Sequence, residues 1–557
     1  QRQMCIRDSP WLVTRPAGSS PLRLRWRILP APPNLNPPTL FDRLFPRSSD
    51  AVFLDSSSSF PDATPRFLMA KPTHEAGFSA RFYVASDSPN EVPNEQDFYG
   101  FLRDQLTRIQ VPEDFPRELT GGFTLGWVGA FGYELKNLSA DVRSSATAVR
   151  EPWQHPTHPD AALVFADQGL VYDPTRGTVV ALALEPVTGN DEPGTRGREN
   201  EQAPRSGETG SDAWFAQVTG IVNHLASDDS GEEAAARKES VPGESVAGHA
   251  VAKESVPGSV PGGEYRLAHG HQQYLDNVRA AQQHIADGDT YEVCLTTTAT
   301  GPALVDPWAS YLQLRRTSPV PYGAYLRFSE EGVEGLASGK KDEIHVLSAS
   351  PERFLRIRRN DNGGLTVDAK PIKGTRPRGV GTEDQRLRTE LQTSPKDRAE
   401  NLMIVDLLRN DLSKVCEPGS VRVTRLFDVE SYSHVHQLVS TIEGELAEAG
   451  AGDAITCLAA CFPGGSMTGA PKVRTMELLE DLEGRARGLY SGAIGWLSPT
   501  GEADLSIVIR TLIDDANSSS FGIGGAIVTD SNPEEEWQEI LVKASALLDA
   551  LGATLRN

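Results

Sequence analysis

The sequence predicts a mixed α/β (α+β) protein, and three observations carry that reading. Short apolar runs bounded by Gly, Pro and Asp, such as AVFLD (51–55), FTLGWVGAFGYEL (123–135), ALVFA (162–166) and GTVVALALE (177–185), read as strands. Between and after them lie segments with helical apolar spacing, of which YLDNVRAAQQHIADGD (274–289) is followed at once by the strand-like TYEVCLTTTAT (290–300). The chain ends on a helix, NPEEEWQEILVKASALLDALG (532–552), whose Asn-Pro start and acidic first turn suit a helix N-terminus.

Four stretches differ in character. Residues 1–40 begin at Gln1 with QRQMCIRDS, which has no signal-peptide core or cleavage site and reads as a cloning or sequencing remnant, with the natural N-terminus missing. Residues 10–40 are rich in Pro and Arg and read as linker. The pattern over 41–186 is globular. Residues 187–262 are rich in Gly, Pro, Glu and Ser and carry KESVPG twice, at 238–243 and 253–258; such a stretch buries too little apolar surface to fold. Only DAWFAQVTGIVNHLAS (212–227) within it has helical character. From 263 to 557 the chain is dense with structure. A long helix is expected over about 396–414 after Ser394-Pro395, then strands GAIGWLS (492–498) and LSIVIRTLI (505–513).

Composition narrows the function. With 557 residues there is room for two or more domains. A formal net charge of −22, from 54 Lys and Arg against 76 Asp and Glu, argues against nucleic acid or an anionic membrane as the main partner. No apolar run approaches the roughly 20 residues that cross a bilayer. The five cysteines are scattered and odd in number, which fits a reducing, cytoplasmic setting better than a disulfide framework. Cys457 and Cys461 share a helix face and read as packing residues.

Several residues could carry chemistry. In PIKGTRPR (371–378), Pro371 and Gly374 read as a tight turn that presents Lys373. That lysine is either solvated or, if its pKa is lowered, a nucleophile. On the last helix Glu536, Glu539 and Lys543 fall on one stripe. They either form a solvated Glu–Lys pair or hold a hard divalent cation beside a substrate carboxylate. Glu400 is either capped by Arg398 at the surface or reaches inward to a metal. Arg510, inside an apolar strand, needs an anion, supplied by a structural Asp or Glu or by a substrate. Two glycine-rich segments, FPGGSMTGAPKVR (462–474) and GIGGAIVTDS (522–531), read as turns whose backbone N–H groups suit a carboxylate; neither has the GxxxxGK[ST] or GxGxxG spacing.

Taken together these segments resemble the chorismate-utilising enzymes, the family of anthranilate synthase component I and its relatives. The matching runs are SPERF (350–354), PIKGTRPRG (371–379), KDRAENLMIVDLLRNDL (396–412), HVHQLVSTIEGEL (434–446), FPGGSMTGAPKVRTMELLEDLE (462–483), LYSGAIGWLS (489–498), LSIVIRTL (505–512), GGAIVTDS (524–531) and EEEWQEILVKA (534–544). The resemblance implies two packed, mainly antiparallel sheets with flanking helices, with 41–186 completing the fold of 263–557. It implies Mg²⁺ held by Glu400 and Glu539 with Glu536, and chorismate carboxylates held by Arg510, Lys543, Tyr490 and the backbone of Gly524, Gly525 and Ala526. Gly374 and Thr375 would line the ring with Ser466 nearby, and Glu352 would protonate the departing C4 hydroxyl.

Two positions choose among the members. Relatives that add water resemble a KVV-like strand with a lysine base; here YEVCLT places Glu292 there, which disfavours that chemistry. Anthranilate-forming members resemble PIAGT, whereas this chain has Lys373. The resemblance therefore implies that Lys373 attacks C2 of chorismate covalently. Ammonia then adds at C4, giving 4-amino-4-deoxychorismate for para-aminobenzoate and folate synthesis. Anthranilate formation is the alternative, and a non-catalytic chorismate-binding regulatory subunit is a reading of another class. The family's usual histidine before LVS is Gln437 here, with His436 beside it as the candidate catalytic histidine. No GxCxGxQ glutaminase signature is present. Ammonia would then come from a glutaminase subunit or an amidotransferase domain lost from the N-terminus. FLDSSSS (53–59) resembles the tryptophan-binding segment of relatives, and a Ser-rich turn explains it equally well.

Overall fold

The computed structural model describes residues 21–46, 50–56, 66–73, 95–138, 160–187, 210–228, 263–328, 343–432, 434–447, 453–515 and 517–556. The KESVPG repeats, Cys5 and Ser57–Ser59 lie outside them. Among the described residues the strands form two sheets, one of fourteen and one of nine. Pairing is antiparallel except where Leu22–Pro30 meets Ile109–Gln110 and where Thr554–Arg556 meets Glu264–Leu267. The expectation of two mainly antiparallel sheets with flanking helices holds.

Alternation along the strands sorts side chains between two cores. In Glu292–Pro302, Val293 and Leu295 join an outer core with Tyr274, Trp308, Trp537 and Ile540, contributed by helices His271–Ala286, Pro307–Thr317 and Pro533–Leu551. Cys294 points the other way, into a core shared with strands of the second sheet such as Arg353–Arg359 and Ala503–Ile507. Glu292 shares the face of Cys294, so it looks toward the second sheet. Helix Pro395–Ser413 packs on strand Val435–Glu445 of that sheet.

The regions 41–186 and 263–557 are woven together. Ala51–Asp55 pairs with Tyr322–Phe328 in the large sheet, and Gly126–Phe131 pairs with Ala493–Leu497 in the small one. Residues expected to be linker supply the strand Leu22–Pro30 and the start of helix Pro37–Leu44. The strand is possible because Leu22 and Leu24 are buried while its arginines snorkel outward. The helix expected over 212–227 spans Gly210–Asp228, and Trp214 and Phe215 bury it on the outer core.

Two expected local structures change. LSIVIRTLI is not one strand: Ala503–Ile507 belongs to the small sheet and Thr511–Asp515 to the large one, with Arg510 between them at φ 50°. GIGGAIVTDS is not a turn at its start, because Ser518–Ile527 is a strand in which Gly524, Gly525 and Ala526 oppose Thr296, Leu295 and Cys294. Only Ser519 and Ser520 of that strand pair with Thr511–Asp515, so Gly522–Ile527 keeps one backbone edge open among the described residues.

Candidate active site

The two sheets meet where Lys373 of the small sheet faces Glu292 of the large one. Lys373 and Gly374 sit in strand Ile372–Pro377 at a bulge against Val435–Glu445, where the register slips between Ile372 and Thr375. A bulge bends a strand and re-aims its side chains. The turn expected from Pro-Ile-Lys-Gly-Thr is thus a bulged strand, but its glycine is needed as foreseen. Gly374 has φ 81°, and a Cβ there would lie 2.7 Å from the Asp397 carboxylate. Gly374→Ala is expected to cost about 1–3 kcal/mol in urea unfolding through strain and overpacking. It should also lower turnover by moving Lys373; an unchanged midpoint would contradict this account.

Lys373 Nζ donates to Glu292 Oε1 at 2.7 Å and lies 4.0 Å from Glu400 Oε2. Burial acts to lower its pKa, but the carboxylates of Glu292 and Glu400 outweigh burial and hold the amine above its ordinary range. The free site therefore keeps Lys373 as an ammonium. Glu352 goes the other way. Burial pushes its carboxyl up to about 7, against the opposing pull of a Ser466 hydrogen bond, Lys373, the Ile372 backbone N–H and Arg510. A protonated acid and a lysine thus share one wall.

Arg510 stands at the crossover between the sheets, and its left-handed backbone is what turns the chain from one to the other. Its guanidinium makes no ion pair or hydrogen bond among the described residues; Glu352 is the charge that acts on it, and burial lowers its pKa. The bland alternative of a structural carboxylate partner is not realised, and these donors remain for an incoming anion. Tyr490 is buried, and its ring occupies the space a side chain at Gly522 would need, 2.1 Å from that Cβ position.

Glu400 does not turn to the surface. Arg398 stacks over Phe427, 4.6 Å from its centroid, and leaves Glu400 buried on the inner side of its helix. Burial pushes the Glu400 carboxyl up to about 7 despite Lys373 and Lys396, with Glu292 and Glu539 adding repulsion. Glu536 is 2% exposed and accepts from Ser531 Oγ at 2.8 Å. Glu539 pairs with Lys543 at 2.6 Å, and Lys543 also donates to the Gly524 carbonyl at 2.7 Å. A Cβ on Gly525 would lie 3.0 Å from Glu536 Oε2 and 3.8 Å from Glu539 Oε1, so both carboxylates lie over that strand at Gly525. Glu292 Oε2, Glu400 Oε1 and Glu536 Oε2 are buried without a hydrogen-bond partner. Among the described residues, however, no three His, Cys, Asp or Glu side chains converge into a ready-made metal cage.

His436, the candidate catalytic histidine, is turned to other partners. Its neighbour Gln437 opposes Thr375, and successive strand residues face opposite sides. The His436 ring meets Asp384 Oδ1 at 3.0 Å and Ser431 Oγ at 2.7 Å, which tethers helix Thr382–Thr393 to the sheet.

Three contributors escaped sequence reasoning. Lys396, four residues before Glu400, reaches both Glu400 and Glu536; its i, i+4 spacing was the available signal. Cys294 shares the face of Glu292. Arg487 is a buried hub that grips Glu483 with two nitrogens, at 2.6 and 2.8 Å, and donates to the carbonyls of Cys294 and Met467, fixing the strand of Glu292 against the turn of Ser466. Nothing in EGRARGLY marks it out. Cys457 and Cys461 are buried, as expected. A separate cavity of about 690 Å³ is lined by Leu54, Asp55 and Ser56, the start of FLDSSSS, with Arg66, Tyr322 and Arg353; none of Lys373, Glu352 and Glu400 lines it.

The model of the chorismate binding enzyme family matches residues 64–549. The chain belongs to that family. It is 39% identical over 556 residues to the aminodeoxychorismate synthase of Streptomyces griseus, covering 98% of this chain and 66% of the relative. It is 37% identical to the probable chloroplastic aminodeoxychorismate synthase of Oryza sativa subsp. japonica, covering 96% and 57%. The chain therefore spans less than two thirds of the length of these relatives. The anthranilate synthase component I structure from Streptococcus pneumoniae shares the family fold, with TM-score 0.58 and 23% identity, over 94% of this chain and 92% of that one.

Proposed function

We propose that this chain converts chorismate and ammonia to 4-amino-4-deoxychorismate, with Lys373 as a covalent nucleophile. The observation that carries the reading is the facing of Lys373 and Glu292 across the two sheets, with a buried acid, Glu352, beside them. The hydrogen bond from Lys373 to Glu292 gives the ammonium proton a place to go, which leaves a neutral amine to attack C2. Glu352, protonated up to about pH 7, supplies the proton with which the C4 hydroxyl leaves as water. Ammonia then bonds to C4 as the C2–N bond breaks, the new C4 ammonium returns a proton to Glu352, and Lys373 takes its own proton back from Glu292.

Arg510 is suited to one substrate carboxylate and the open edge at Gly524–Ala526 with Lys543 to another, while Tyr490, Thr375 and Ser466 bound the ring. Glu400 and Glu536, with Glu539 adjacent, fit Mg²⁺: each of the first two keeps a buried oxygen without a partner, and Mg²⁺ needs only one or two carboxylates when substrate oxygens and water complete its shell. When bound it would neutralise a substrate carboxylate. His436 is assigned a positioning role in place of a catalytic one. Ammonia is taken to come from a glutaminase subunit or a further domain, in keeping with the greater length of the relatives. The four described cysteines are free, which supports a cytoplasmic setting.

The test is incubation with chorismate, MgCl₂ and an ammonium salt, with products resolved chromatographically. Aminodeoxychorismate is expected; anthranilate as the product would sink the reading.

A further inference from the structure

The Mg²⁺ reading sets up a conflict of charge that the protein resolves with a residue outside the set that binds metal or substrate. Glu400 and Glu536 come from different helices, Pro395–Ser413 and Pro533–Leu551, and both are buried. Two such carboxylates repel each other, and the repulsion is strong because little water screens it. Lys396 lies between them, its Nζ 3.4 Å from Glu536 Oε1 and 3.9 Å from Glu400 Oε1. Its side chain is 53% exposed, so the stem runs through solvent and can withdraw without breaking the core. The ammonium balances the carboxylates yet leaves Glu400 Oε1 and Glu536 Oε2 without hydrogen bonds.

We infer that Lys396 is a tethered counter-cation that holds the two carboxylates in place while the site is empty and is displaced when a divalent cation enters. The inference rests on the proposed Mg²⁺ site. Four carboxylates, Glu292, Glu400, Glu536 and Glu539, stand there against three ammonium groups, Lys373, Lys396 and Lys543. Of the three, Lys373 is held by a buried hydrogen bond to Glu292, and Lys543 is held to Glu539 and a carbonyl. The nearest carboxylate to Lys396 is 3.4 Å away, against 2.7 Å for Lys373 and 2.6 Å for Lys543, and its side chain is the most exposed of the three, so it is the one that gives way. Its presence lowers the affinity for a bare cation and keeps the empty site from springing apart.

Calorimetric titration of MgCl₂ into the full chain, without substrate, tests this. Lys396→Gln is expected to bind Mg²⁺ about fivefold more tightly than wild type, the scale of one partly exposed ion pair. Lys396→Arg should stay near wild type, and Glu400→Gln should bind weakly. In EDTA the melting temperature of Lys396→Gln should fall and that of Lys396→Arg should not. Unchanged or weaker binding by Lys396→Gln, with Glu400→Gln still impaired, overturns the inference and leaves the metal site standing. An unchanged melting temperature for Lys396→Gln in EDTA overturns its ordering role. Wild-type binding by Glu400→Gln removes the metal site itself, and the inference with it.

Discussion

Lys373→Ala is expected to lower aminodeoxychorismate formation by more than about 10³-fold, the scale on which an enzyme loses a nucleophile. It should also destabilise the protein by about 3–5 kcal/mol, because Glu292 is then left as a buried charge with no partner. The two effects separate in a double variant. Adding Glu292→Gln should restore most of the stability, measured by urea unfolding, while activity stays lost. Intact mass spectrometry gives a direct readout. Wild type held with chorismate and Mg²⁺ but no ammonia should gain the mass of chorismate less one water, and Lys373→Ala should not. An active Lys373→Ala, or an adduct on it, would remove Lys373 from the chemistry.

Glu352→Gln is expected to show a trade between stability and rate. The Glu352 carboxyl rises from 4.5 in the unfolded chain to about 7 in the fold. Between those values the folded state binds more protons than the unfolded one, so stability falls as pH rises. Above pH 7 the full penalty is about 3 kcal/mol at 1.36 kcal/mol per pKa unit. Glutamine keeps an oxygen for Ser466 and the Ile372 N–H but has no proton to lose. The variant should therefore match wild type near pH 4 and exceed it by up to about 3 kcal/mol at pH 8. Its turnover should fall by about 10²–10⁴-fold with loss of the acid. Other carboxyls also rise to about 7, including those of Asp167 and Asp514, so the difference between variant and wild type is the quantity to follow. An identical stability profile for the two proteins would falsify the assignment of a raised pKa to Glu352.

Periodicity and end signals made most elements legible along the chain. The C-terminal helix starts at its Asn532 cap, whose side chain accepts from the Glu534 and Glu535 N–H groups, and ends at Gly552 in the left-handed region, as its sequence required. The misreadings have one origin: they lie where tertiary pairing outweighs local preference. PIKGT reads as a turn because Pro and Gly favour turns, but pairing with Val435–Glu445 draws it into a bulged strand. GIGGAI reads as a turn for the same reason, and pairing with Glu292–Pro302 makes it a strand. The Arg510 crossover is invisible locally, since an apolar run does not reveal that its halves belong to different sheets.

The sequence by itself determined the residue types at the site: Lys373, Glu292, Glu352 and the carboxylates of two helices. Their states came from elsewhere. Only tertiary packing decided that Lys373 rests as an ammonium against Glu292, that Glu352 holds its proton to about pH 7, that His436 faces Asp384, and that Lys396 bridges Glu400 and Glu536. The physical reason is that protonation depends on burial and on charges a few ångströms away. Those charges come from residues far apart in the chain, 140 positions in the case of Lys396 and Glu536, and no local pattern encodes that distance.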